Sequence, residues 1–246
     1  MIEIKLILVT GCSTGIGHST AKKLLDQGHR VIGTSRDKTR LKSLKISYPD
    51  LFYALNLDMT DPESCNTVVS RLPHELQEID ALINNAGSDI GGRTNFSDGG
   101  VENWTNTIET NVTGVFRVTY SVLQGMKQRN RGDVVNLGST SGLEPVATTA
   151  AYSASKHAIN GFSESLRKEL EPTGIRVMQV LPGMVRTEFA ANRYGDAAKA
   201  EKFYDDFGKW LTADDVAECV IYCLNQPRHV VMSQMVVVPK PRVPSK

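Results

Sequence analysis

The segment Thr10-Gly11-Cys12-Ser13-Thr14-Gly15-Ile16-Gly17 joins an apolar run at Lys5–Thr10 to a helical pattern near residues 15–27. Glycines at such a turn let the backbone approach a pyrophosphate, and the N-terminus of the following helix offers unpaired N–H groups. The spacing is not G-x-G-x-x-G, and the absence of a following Gly-Lys-Ser/Thr argues against a P-loop. An ordinary turn between a strand and a helix is the alternative interpretation. The position after the first strand favours a dinucleotide site, with predicted contacts at Gly11, Ser13, Thr14, Gly15, Ile16 and Gly17.

Beyond this turn, short runs rich in Val, Ile and Leu alternate with longer helical stretches. The predicted strands are Lys5–Thr10, Arg30–Ser35, Leu51–Leu57, Ile79–Asn84, Asp133–Leu137, Ile175–Leu181 and Val230–Val238. The predicted helices lie near residues 15–27, 38–46, 62–72, 101–129, 151–171 and 212–225. This alternation predicts an α/β protein with a single-domain Rossmann fold, in which a doubly wound, seven-stranded parallel sheet carries helices on both faces.

The chain has no internal repeat and no linker long enough to divide it. We therefore expect residues 1–246 to form one dinucleotide-binding and catalytic domain. Residues 184–211 interrupt the alternation with a polar, helical-looking insert. Since long excursions in compact domains are usually lids or binding loops, this insert is predicted to contact the substrate.

Composition argues against several classes of protein. Lys and Arg number 28 and Asp and Glu 27, which leaves no electrostatic signature of nucleic-acid or membrane binding. The sequence contains no apolar run of about 18 residues and no recognisable signal peptide. Its four cysteines, at positions 12, 65, 219 and 223, lack the pattern of a disulfide framework or a zinc site. We expect a cytoplasmic protein that binds a small molecule and no metal.

The end of the second predicted strand carries information about the nucleotide. A carboxylate at this position usually accepts a hydrogen bond from the ribose 2′-OH of NAD. Here the strand ends at Ser35 and is followed by Arg36, whose guanidinium suits a 2′-phosphate. Asp37 comes later, where it is better placed to open the next helix. The sequence therefore favours NADP(H), with a solvated Arg36 or an Asp37-bound NAD as alternatives.

Tyr152 and Lys156 lie four residues apart, so a helix would place both on one face, about 6 Å apart along its axis. A tyrosine has a reference pKa of about 10, which makes it a poor base at neutral pH. A neighbouring ammonium and an oxidised nicotinamide would both favour its phenolate. The same spacing also occurs by chance in ordinary surface pairs.

Polar residues near other strand ends favour the catalytic interpretation of this pair. Ser139 follows the fifth predicted strand, and Asn84-Asn85-Ala86-Gly87 closes the fourth. Ligands of open α/β sheets bind at this carboxyl edge, where the Ser139 hydroxyl is placed to hold a substrate oxygen. Asn111 lies within a long predicted helix, where a bare amide is an unusual choice.

Taken in order, these motifs resemble the short-chain dehydrogenase/reductase family over nearly the whole chain. The matching pieces are Thr10-Gly11-x-x-x-Gly15-x-Gly17, Asp58, Asn84-Asn85-Ala86-Gly87, Asn111, Ser139, Tyr152, Lys156, and Pro182-Gly183 with Thr187. Each motif is degenerate alone, whereas the full set in this order and spacing is specific. The resemblance implies an NADP(H)-dependent enzyme that interconverts an alcohol and a carbonyl.

The resemblance also implies a role for each matching residue. Tyr152 would donate or accept the proton, Ser139 would orient the reacting oxygen, and Asn111 would hold a proton-relay water. Lys156 would lower the tyrosine pKa and bind the nicotinamide ribose. The remaining implied cofactor contacts are Asp58 and Met59 near the adenine, Asn85, Ala86 and Gly87 on the adenosine side, and Pro182, Gly183, Val185 and Thr187 around the carboxamide.

Two positions depart from the family pattern. Gly138 stands where many members have another serine, which leaves Ser139 intact. Val236-Val237-Val238-Pro239-Lys240 replaces the C-terminal Asp-Gly-Gly of many relatives, so the usual packing of the C-terminus is in question.

Segments at residues 129–140 and 200–216 resemble a subgroup of NADP-dependent 3-hydroxy acid dehydrogenases and reductases of short anionic aldehydes, such as sulfoacetaldehyde reductase. Such substrates need an anion-binding group beside Ser139 and Tyr152. Arg93 and Arg186 are the predicted candidates, and both are also consistent with solvated loop arginines.

Other functions stay open at this point. A reductase of a neutral ketone, sugar or polyol is one alternative, and a non-catalytic NADP(H) sensor is another, although sensors on this fold usually lose the tyrosine or the lysine. An epimerase or dehydratase of the extended relatives would need a larger C-terminal domain. The resemblance further implies a homo-oligomer, a tetramer assembled through the helices at 101–129 and 151–171.

Overall fold

The computed structural model describes residues 3–240, which form a seven-stranded parallel sheet in the order β3-β2-β1-β4-β5-β6-β7. The strands are β1 (Leu6–Val9), β2 (Arg30–Ser35), β3 (Phe52–Asn56), β4 (Ala81–Asn84), β5 (Gly132–Leu137), β6 (Ile175–Pro182) and β7 (Met235–Val237). The strand order reverses direction between β1 and β4, which opens a crevice at their carboxyl ends. The predicted fold is confirmed.

Helices cover both faces of this sheet. They are α1 (Gly15–Asp26), α2 (Lys42–Ser47), α3 (Pro62–Asn66), α4 (Val101–Ile108), α5 (Gly114–Gln128), α6 (Ala150–Glu169), α7 (Phe189–Tyr194), α8 (Ala197–Phe207) and α9 (Ala213–Leu224). Apolar side chains of α3, α5 and α6 form the core on one face, and those of α1, α2 and α9 form the core on the other. Strands β1, β4, β5 and β6 are consequently buried along their whole length.

The last strand is shorter than the predicted Val230–Val238, because β7 pairs only with the final residues of β6, Val180–Pro182. The Gly183 N–H continues this contact by donating to the carbonyl of Val237 at 2.8 Å. The sequence without Asp-Gly-Gly therefore still forms the edge strand. Residues 241–246 lie outside the described part of the chain.

Two short helical predictions need correction. The predicted helix 38–46 begins as a 3-10 turn at Lys38–Leu41. The predicted helix 62–72 ends at Asn66. Beyond that point the Thr67 hydroxyl donates to the carbonyl of Glu63 at 2.7 Å and the Ser70 hydroxyl to that of Thr67 at 3.1 Å. Such side-chain bonds to the backbone compete with the helical ladder.

The predicted helix 101–129 is interrupted by a π-helical turn at Glu109–Thr113, which separates α4 from α5. Gly114, the first residue of α5, packs against the loop that follows β3: a Cβ here would stand 2.4 Å from the carbonyl oxygen of Met59. The π turn contains Asn111, the amide that the sequence marked as unusual for a helix interior. Single π turns often occur at functional sites.

Residues 184–211 form a small unit above the carboxyl edge of the sheet. Helices α7 and α8 lie in this insert and bury Ala190, Ala200 and Tyr204 between them. The two ends of the insert lie side by side, because Val185 and Leu211 form an isolated parallel bridge. Within residues 3–240, no helix combines the length and hydrophobicity needed to cross a bilayer.

Candidate active site

A cavity of about 590 Å³ lies at the carboxyl edge of the sheet, between the strand ends and the insert. The predicted residues that line it are Gly11, Ser13, Thr14, Gly15, Ile16, Arg36, Asp58, Met59, Asn85, Ala86, Gly87, Arg93, Ser139, Tyr152, Lys156, Pro182, Gly183, Val185 and Thr187. Three predicted site residues are absent from its lining: Gly17, Asn111 and Arg186. The structure thus brings the glycine turn and the Tyr-Lys-Ser group to one site.

The turn after β1 requires glycine at three positions, two for backbone conformation and one for close packing. Gly11 and Gly15 have φ values of 72° and 57°, which favour glycine. Gly17 is buried behind the cavity, where a Cβ would stand 2.2 Å from the Gly11 carbonyl oxygen. The same Cβ would lie 2.3 Å from Nδ2 of Asn85, so only glycine fits. Gly17 therefore supports the turn and does not face the cavity.

Hydrogen bonds tie the glycine turn to the chain that follows β4. The Thr10 hydroxyl oxygen accepts from the backbone N–H groups of Asn85 and Ala86, each at 3.0 Å. In return, the Asn85 side-chain amide donates to the carbonyls of Thr10 and Gly11, at 2.9 and 3.1 Å. Two segments 75 residues apart are thus fixed as one wall of the cavity.

The cavity wall at the end of β2 is basic. Arg36 and Arg40 both line it, and neither forms an ion pair with a carboxylate in the described chain. The Asp37 carboxylate is already engaged, because its Oδ1 accepts from the Thr39 N–H at 2.9 Å and the Thr39 hydroxyl at 2.7 Å. Sequence reasoning missed Arg40, although it stands only four residues after Arg36.

The Asp58 carboxylate also has a local structural partner. Its Oδ1 accepts from the Thr60 N–H at 2.9 Å and from the Thr60 hydroxyl at 2.8 Å, which closes the turn after β3. The residue lines the cavity together with Met59. This turn presents both residues to the same end of the cavity as Arg36.

Tyr152 is the third residue of α6 and lines the cavity together with Ser139. Burial raises the pKa of the Tyr152 phenol, while the charge of Arg193 and hydrogen bonding with Ser139 act in the opposite direction. The Ser139 hydroxyl oxygen also accepts from the Ser141 N–H at 3.1 Å, which fixes the turn that follows β5. Phenol and hydroxyl therefore meet on one side of the cavity, although 13 residues of sequence separate them.

Lys156 lies one helical turn after Tyr152 and is 8% exposed. Its ammonium donates to the carbonyl oxygen of Leu137 at 2.9 Å and lies 5.7 Å from the centre of the Tyr152 ring. Burial lowers the pKa of this lysine to about 8. The positive charge of Arg193 opposes the effect of burial on the pKa of the Tyr152 phenol. Sequence reasoning missed this residue.

Asn111 lies behind the cavity wall and is almost fully buried. Its side-chain oxygen accepts from the Ser88 N–H at 2.8 Å. Its amide nitrogen donates to the Ser88 carbonyl at 2.8 Å and to the Ser155 hydroxyl at 3.0 Å. The π turn therefore uses this amide to join the chain after β4 to helix α6, next to Lys156.

The two arginines predicted to hold an anion are separated by the fold. Arg93 lines the cavity, with its guanidinium carbon 5.4 Å from the centre of the Phe203 ring. Arg186 forms an ion pair with Glu201, and its guanidinium carbon lies 4.9 Å from the centre of the Trp210 ring. Of the two candidates, Arg93 alone reaches the cavity.

Comparisons with known proteins agree with this geometry. A family model described as short chain dehydrogenase matches residues 5–198. The NADP-dependent 3-hydroxy acid dehydrogenase YdfG of Escherichia coli K12 is 38% identical over 236 residues, which cover 95% of this chain and 94% of that protein. A serine 3-dehydrogenase of Rhizobium radiobacter is 32% identical over 234 residues, covering 95% of this chain and 93% of the relative.

A solved structure has the same fold throughout. The closed form of serine dehydrogenase complexed with NADP+ has a TM-score of 0.90 to this chain at 38% identity, with 94% of this chain and 93% of that chain covered. With its parallel sheet, its glycine turn and its tyrosine and lysine on one helix, the chain belongs to the short-chain dehydrogenase family.

Proposed function

We propose that this protein is an NADP(H)-dependent oxidoreductase that interconverts an alcohol and a carbonyl on a small hydroxy acid or short acidic aldehyde. The observation that carries the proposal is that Tyr152, Ser139 and Lys156 line the same cavity as the glycine turn. The relatives named as NADP-dependent 3-hydroxy acid dehydrogenase and serine 3-dehydrogenase support both the cofactor and the substrate class.

The residues of the cavity fit NADP(H). The turn at Gly11 and Gly15 leaves room for a pyrophosphate at the N-terminus of α1. Arg36 and Arg40 offer two cations to a 2′-phosphate, while Asp37 uses its Oδ1 to cap the helical turn that follows. The further proposed contacts are Ser13, Thr14, Ile16, Asp58, Met59, Asn85, Ala86, Gly87, Pro182, Gly183, Val185 and Thr187. The bound nicotinamide supplies or accepts the hydride.

The protein side of the reaction is proton transfer and orientation. In reduction, the Tyr152 phenol gives its proton to the carbonyl oxygen while the Ser139 hydroxyl donates a hydrogen bond to the same oxygen. In oxidation, the Tyr152 phenolate takes the proton of the alcohol. With a pKa of about 8, Lys156 is mostly protonated at pH 7, and its ammonium binds the nicotinamide ribose and favours the phenolate. Asn111 keeps the chain after β4 in place, and its water-holding role remains a proposal.

A neutral ketone, sugar or polyol is the second candidate substrate class. Three phenylalanines, Phe189, Phe203 and Phe207, line the cavity, which gives it an apolar wall as well as a basic one. Parallel assays with charged and neutral substrates separate the two classes. An NADP(H) sensor would turn over neither.

We also propose a cytoplasmic homo-oligomer, a tetramer in which α4, α5 and α6 contribute to the interfaces. Two aromatic side chains of α5 support this: Phe116 is 40% exposed and Tyr120 is 67% exposed. Exposed large apolar side chains on one helix are typical of protein–protein contacts. The four cysteines are free thiols, which favours a reducing compartment.

The substitution Tyr152→Phe tests the proposed chemistry. We expect kcat to fall by about 10³-fold, because general acid–base catalysis contributes about 10²- to 10⁴-fold. The Kd for NADPH, measured by fluorescence titration, should stay close to that of the unmodified protein. Oxidation of 3-hydroxypropanoate and L-serine with NADP+ gives the activity. Tyr222→Phe, an exposed tyrosine on α9, is the matched control and should leave kcat unchanged. Substantial turnover by Tyr152→Phe would remove the assigned role.

A further inference from the structure

Arg193, on helix α7 of the insert, lies beside the catalytic tyrosine. The residue is 8% exposed and lines the cavity. Its guanidinium carbon stands 5.7 Å from the centre of the Tyr152 ring and 5.2 Å from that of Phe189. Cations over aromatic faces are attracted by the ring quadrupole, so both rings hold the guanidinium in place.

Asp89 holds the same guanidinium from behind. Its Oδ2 lies 2.6 Å from Nε of Arg193, and the carboxylate is 7% exposed. Asp89 does not line the cavity, whereas Arg193 does. The carboxylate therefore takes the Nε side of the guanidinium and leaves the opposite side toward the cavity.

The two terminal nitrogens of Arg193 remain available to a ligand. Among the described residues, Asp89 is the only carboxylate that forms an ion pair with this guanidinium, and the distance given by that pair is to Nε. No hydrogen bond from Nη1 or Nη2 to an acceptor in residues 3–240 is present. A guanidinium with both Nη groups free presents a planar fork that matches a carboxylate or sulfonate.

The net charge around this fork is positive. Arg93 also lines the cavity, and its charge acts on Asp89 together with that of Arg193. The charges of two arginines therefore act on one buried carboxylate, and Arg193 alone is ion-paired with it. The surplus positive charge favours a ligand with a single negative group.

Arg186 lies in the same insert as Arg193 but has different surroundings. Its guanidinium has its own carboxylate partner, Glu201, and lies against Trp210 outside the cavity lining. Both arginines come from the same polar stretch of sequence. Arg193 lies beside the Tyr152 ring, whereas Arg186 is paired with Glu201 of α8.

We propose that Arg193 binds the anionic group of the substrate through Nη1 and Nη2, with Asp89 as the residue that positions it. The assignment rests on the proposed function, since it concerns the same cavity and the same reaction. Because Arg193 lies over the Tyr152 ring, the anion and the reacting oxygen must be close together. The substrate is therefore a short acid whose alcohol is only one or two carbons from the carboxylate, as in 3-hydroxypropanoate or serine.

The test compares charged and uncharged substrates of equal size. 3-Hydroxypropanoate and 3-hydroxypropanamide differ in charge but hardly in shape, and each is assayed with NADP+. We expect Arg193→Met to raise KM for 3-hydroxypropanoate, and lower kcat/KM, by about 10- to 100-fold, the value of charge-assisted hydrogen bonds. For the amide, kcat/KM should change less than about threefold, and Arg193→Lys should recover part of the loss for the acid.

Arg186→Met is the matched comparison, since it removes the other arginine of the insert. It should change kcat/KM for the acid and the amide by the same factor. A selective loss for the acid in Arg186→Met, or an equal loss for both substrates in Arg193→Met, would overturn the assignment. L-Serine as a third substrate shows whether an adjacent ammonium is accepted as well.

A binding measurement separates this inference from the proposed function. Calorimetric titration of the NADP+ complex with propanoate and propanamide needs no turnover. The unmodified protein should bind propanoate more tightly than propanamide, and Arg193→Met should lose that difference. If the protein oxidises no hydroxy acid, the proposed function fails while this titration still tests Arg193. Equal binding of propanoate by the unmodified protein and Arg193→Met would show that Arg193 is not the anion site.

Discussion

Two buried Asp–Arg pairs lie at opposite edges of the sheet and have similar burial but different surroundings. Asp133 and Arg176, at the starts of β5 and β6, are 1% and 3% exposed. Asp89 and Arg193, beside the cavity, are 7% and 8% exposed. Burial therefore does not distinguish them, and the difference lies in how many of their polar groups have partners.

The Asp133–Arg176 pair, at the amino ends of the strands, has a hydrogen-bond partner for each of its charged groups. Asp133 accepts from Arg176 at 2.8 Å, from Lys5 at 2.9 Å and from Arg228 at 2.7 Å. The terminal nitrogens of Arg176 donate to carbonyl oxygens at the end of α9 and in the segment that follows it, between residues 224 and 230. These hydrogen bonds fix the segment between α9 and β7 against the sheet. The cluster around Asp133 therefore stabilises the fold.

The pair at the carboxyl edge is incomplete. Asp89 has one ion-pair partner, and its pKa is raised because burial outweighs the effects of Arg193 and Arg93. The pKa of Asp133 is lowered, since the hydrogen bonds and charges of Arg176 and Lys5 together outweigh the larger single effect of burial. The comparison indicates that a buried ion pair beside a cavity belongs to a ligand site when some of its hydrogen-bond donors have no partner. A pair whose donors and acceptors are all used has a structural role.

The largest expected change, a loss of stability, comes from Asp133→Asn and tests the structural role of the Asp133–Arg176 pair. The substitution leaves three cations packed without their carboxylate, so we expect the free energy of unfolding to fall by about 3–5 kcal/mol. Urea denaturation measures this loss. The kcat/KM of the remaining folded protein should be unchanged. Asp26→Asn, at an exposed pair with Lys22, is the control and should cost less than about 1 kcal/mol. A similarly small loss in Asp133→Asn would break the contrast.

A smaller effect is expected from Arg36→Ala, which removes an arginine that has no carboxylate partner in the described chain. The KM for NADPH should rise about 10- to 100-fold, the value of a charge-assisted contact to a phosphate, while that for NADH stays nearly constant. Stability should hardly change. Lys38→Ala, an exposed cation on the same turn that does not line the cavity, is the control. Equal effects on NADPH and NADH would contradict a 2′-phosphate site at Arg36.

The smallest effect concerns the pH dependence of stability. The lowered pKa of Asp133 gives stability that is present above the unfolded pKa of about 3.9 and lost as the pH falls through the folded pKa. The raised pKa of Asp89 acts in the opposite sense, because stability then falls as the pH rises from about 3.9 to the folded pKa. Asp89→Asn should remove that fall and change stability at pH 7 by only about 1 kcal/mol.

Urea unfolding of Asp89→Asn between pH 3 and pH 7 tests these signs. The difference in stability between Asp89→Asn and the unmodified protein should move in the variant's favour as the pH rises. For Asp133→Asn the difference should move against the variant over the same range. Parallel curves for both variants would mean that the two carboxylates have the same surroundings in solution.

Much of the fold and of the candidate catalytic group could be predicted from the sequence, because the signals are local or follow from parallel topology. Tyr152 and Lys156 share a helix face at a spacing of four, and Ser139 follows a strand whose carboxyl end is fixed by the sheet. The glycine turn was likewise predictable, although Gly17 proved to serve packing and not the cavity. Its role depends on Asn85, which no local pattern places beside it.

The proposed anion site could not be predicted in the same way. Asp89 and Arg193 are 104 positions apart, and neither lies in a periodic pattern that shows which way it faces. Arg186 and Arg193 are equally polar features of one insert, and only the packing of α7 against Tyr152 distinguishes them. The π turn at Asn111 escaped prediction because its extra residue depends on Ser88 and Ser155, far away in the chain.

The bridge between Val185 and Leu211 has a consequence for how this enzyme can be redesigned. Because the two ends of the insert are neighbours, a replacement of different length and composition closes over the same short gap, at a cost that grows only slowly with its length. The insert can therefore be exchanged as one segment. Exchanging it would replace Arg193 together with Val185 and Thr187, while the glycine turn, Arg36 and Arg40 would stay on their original scaffold.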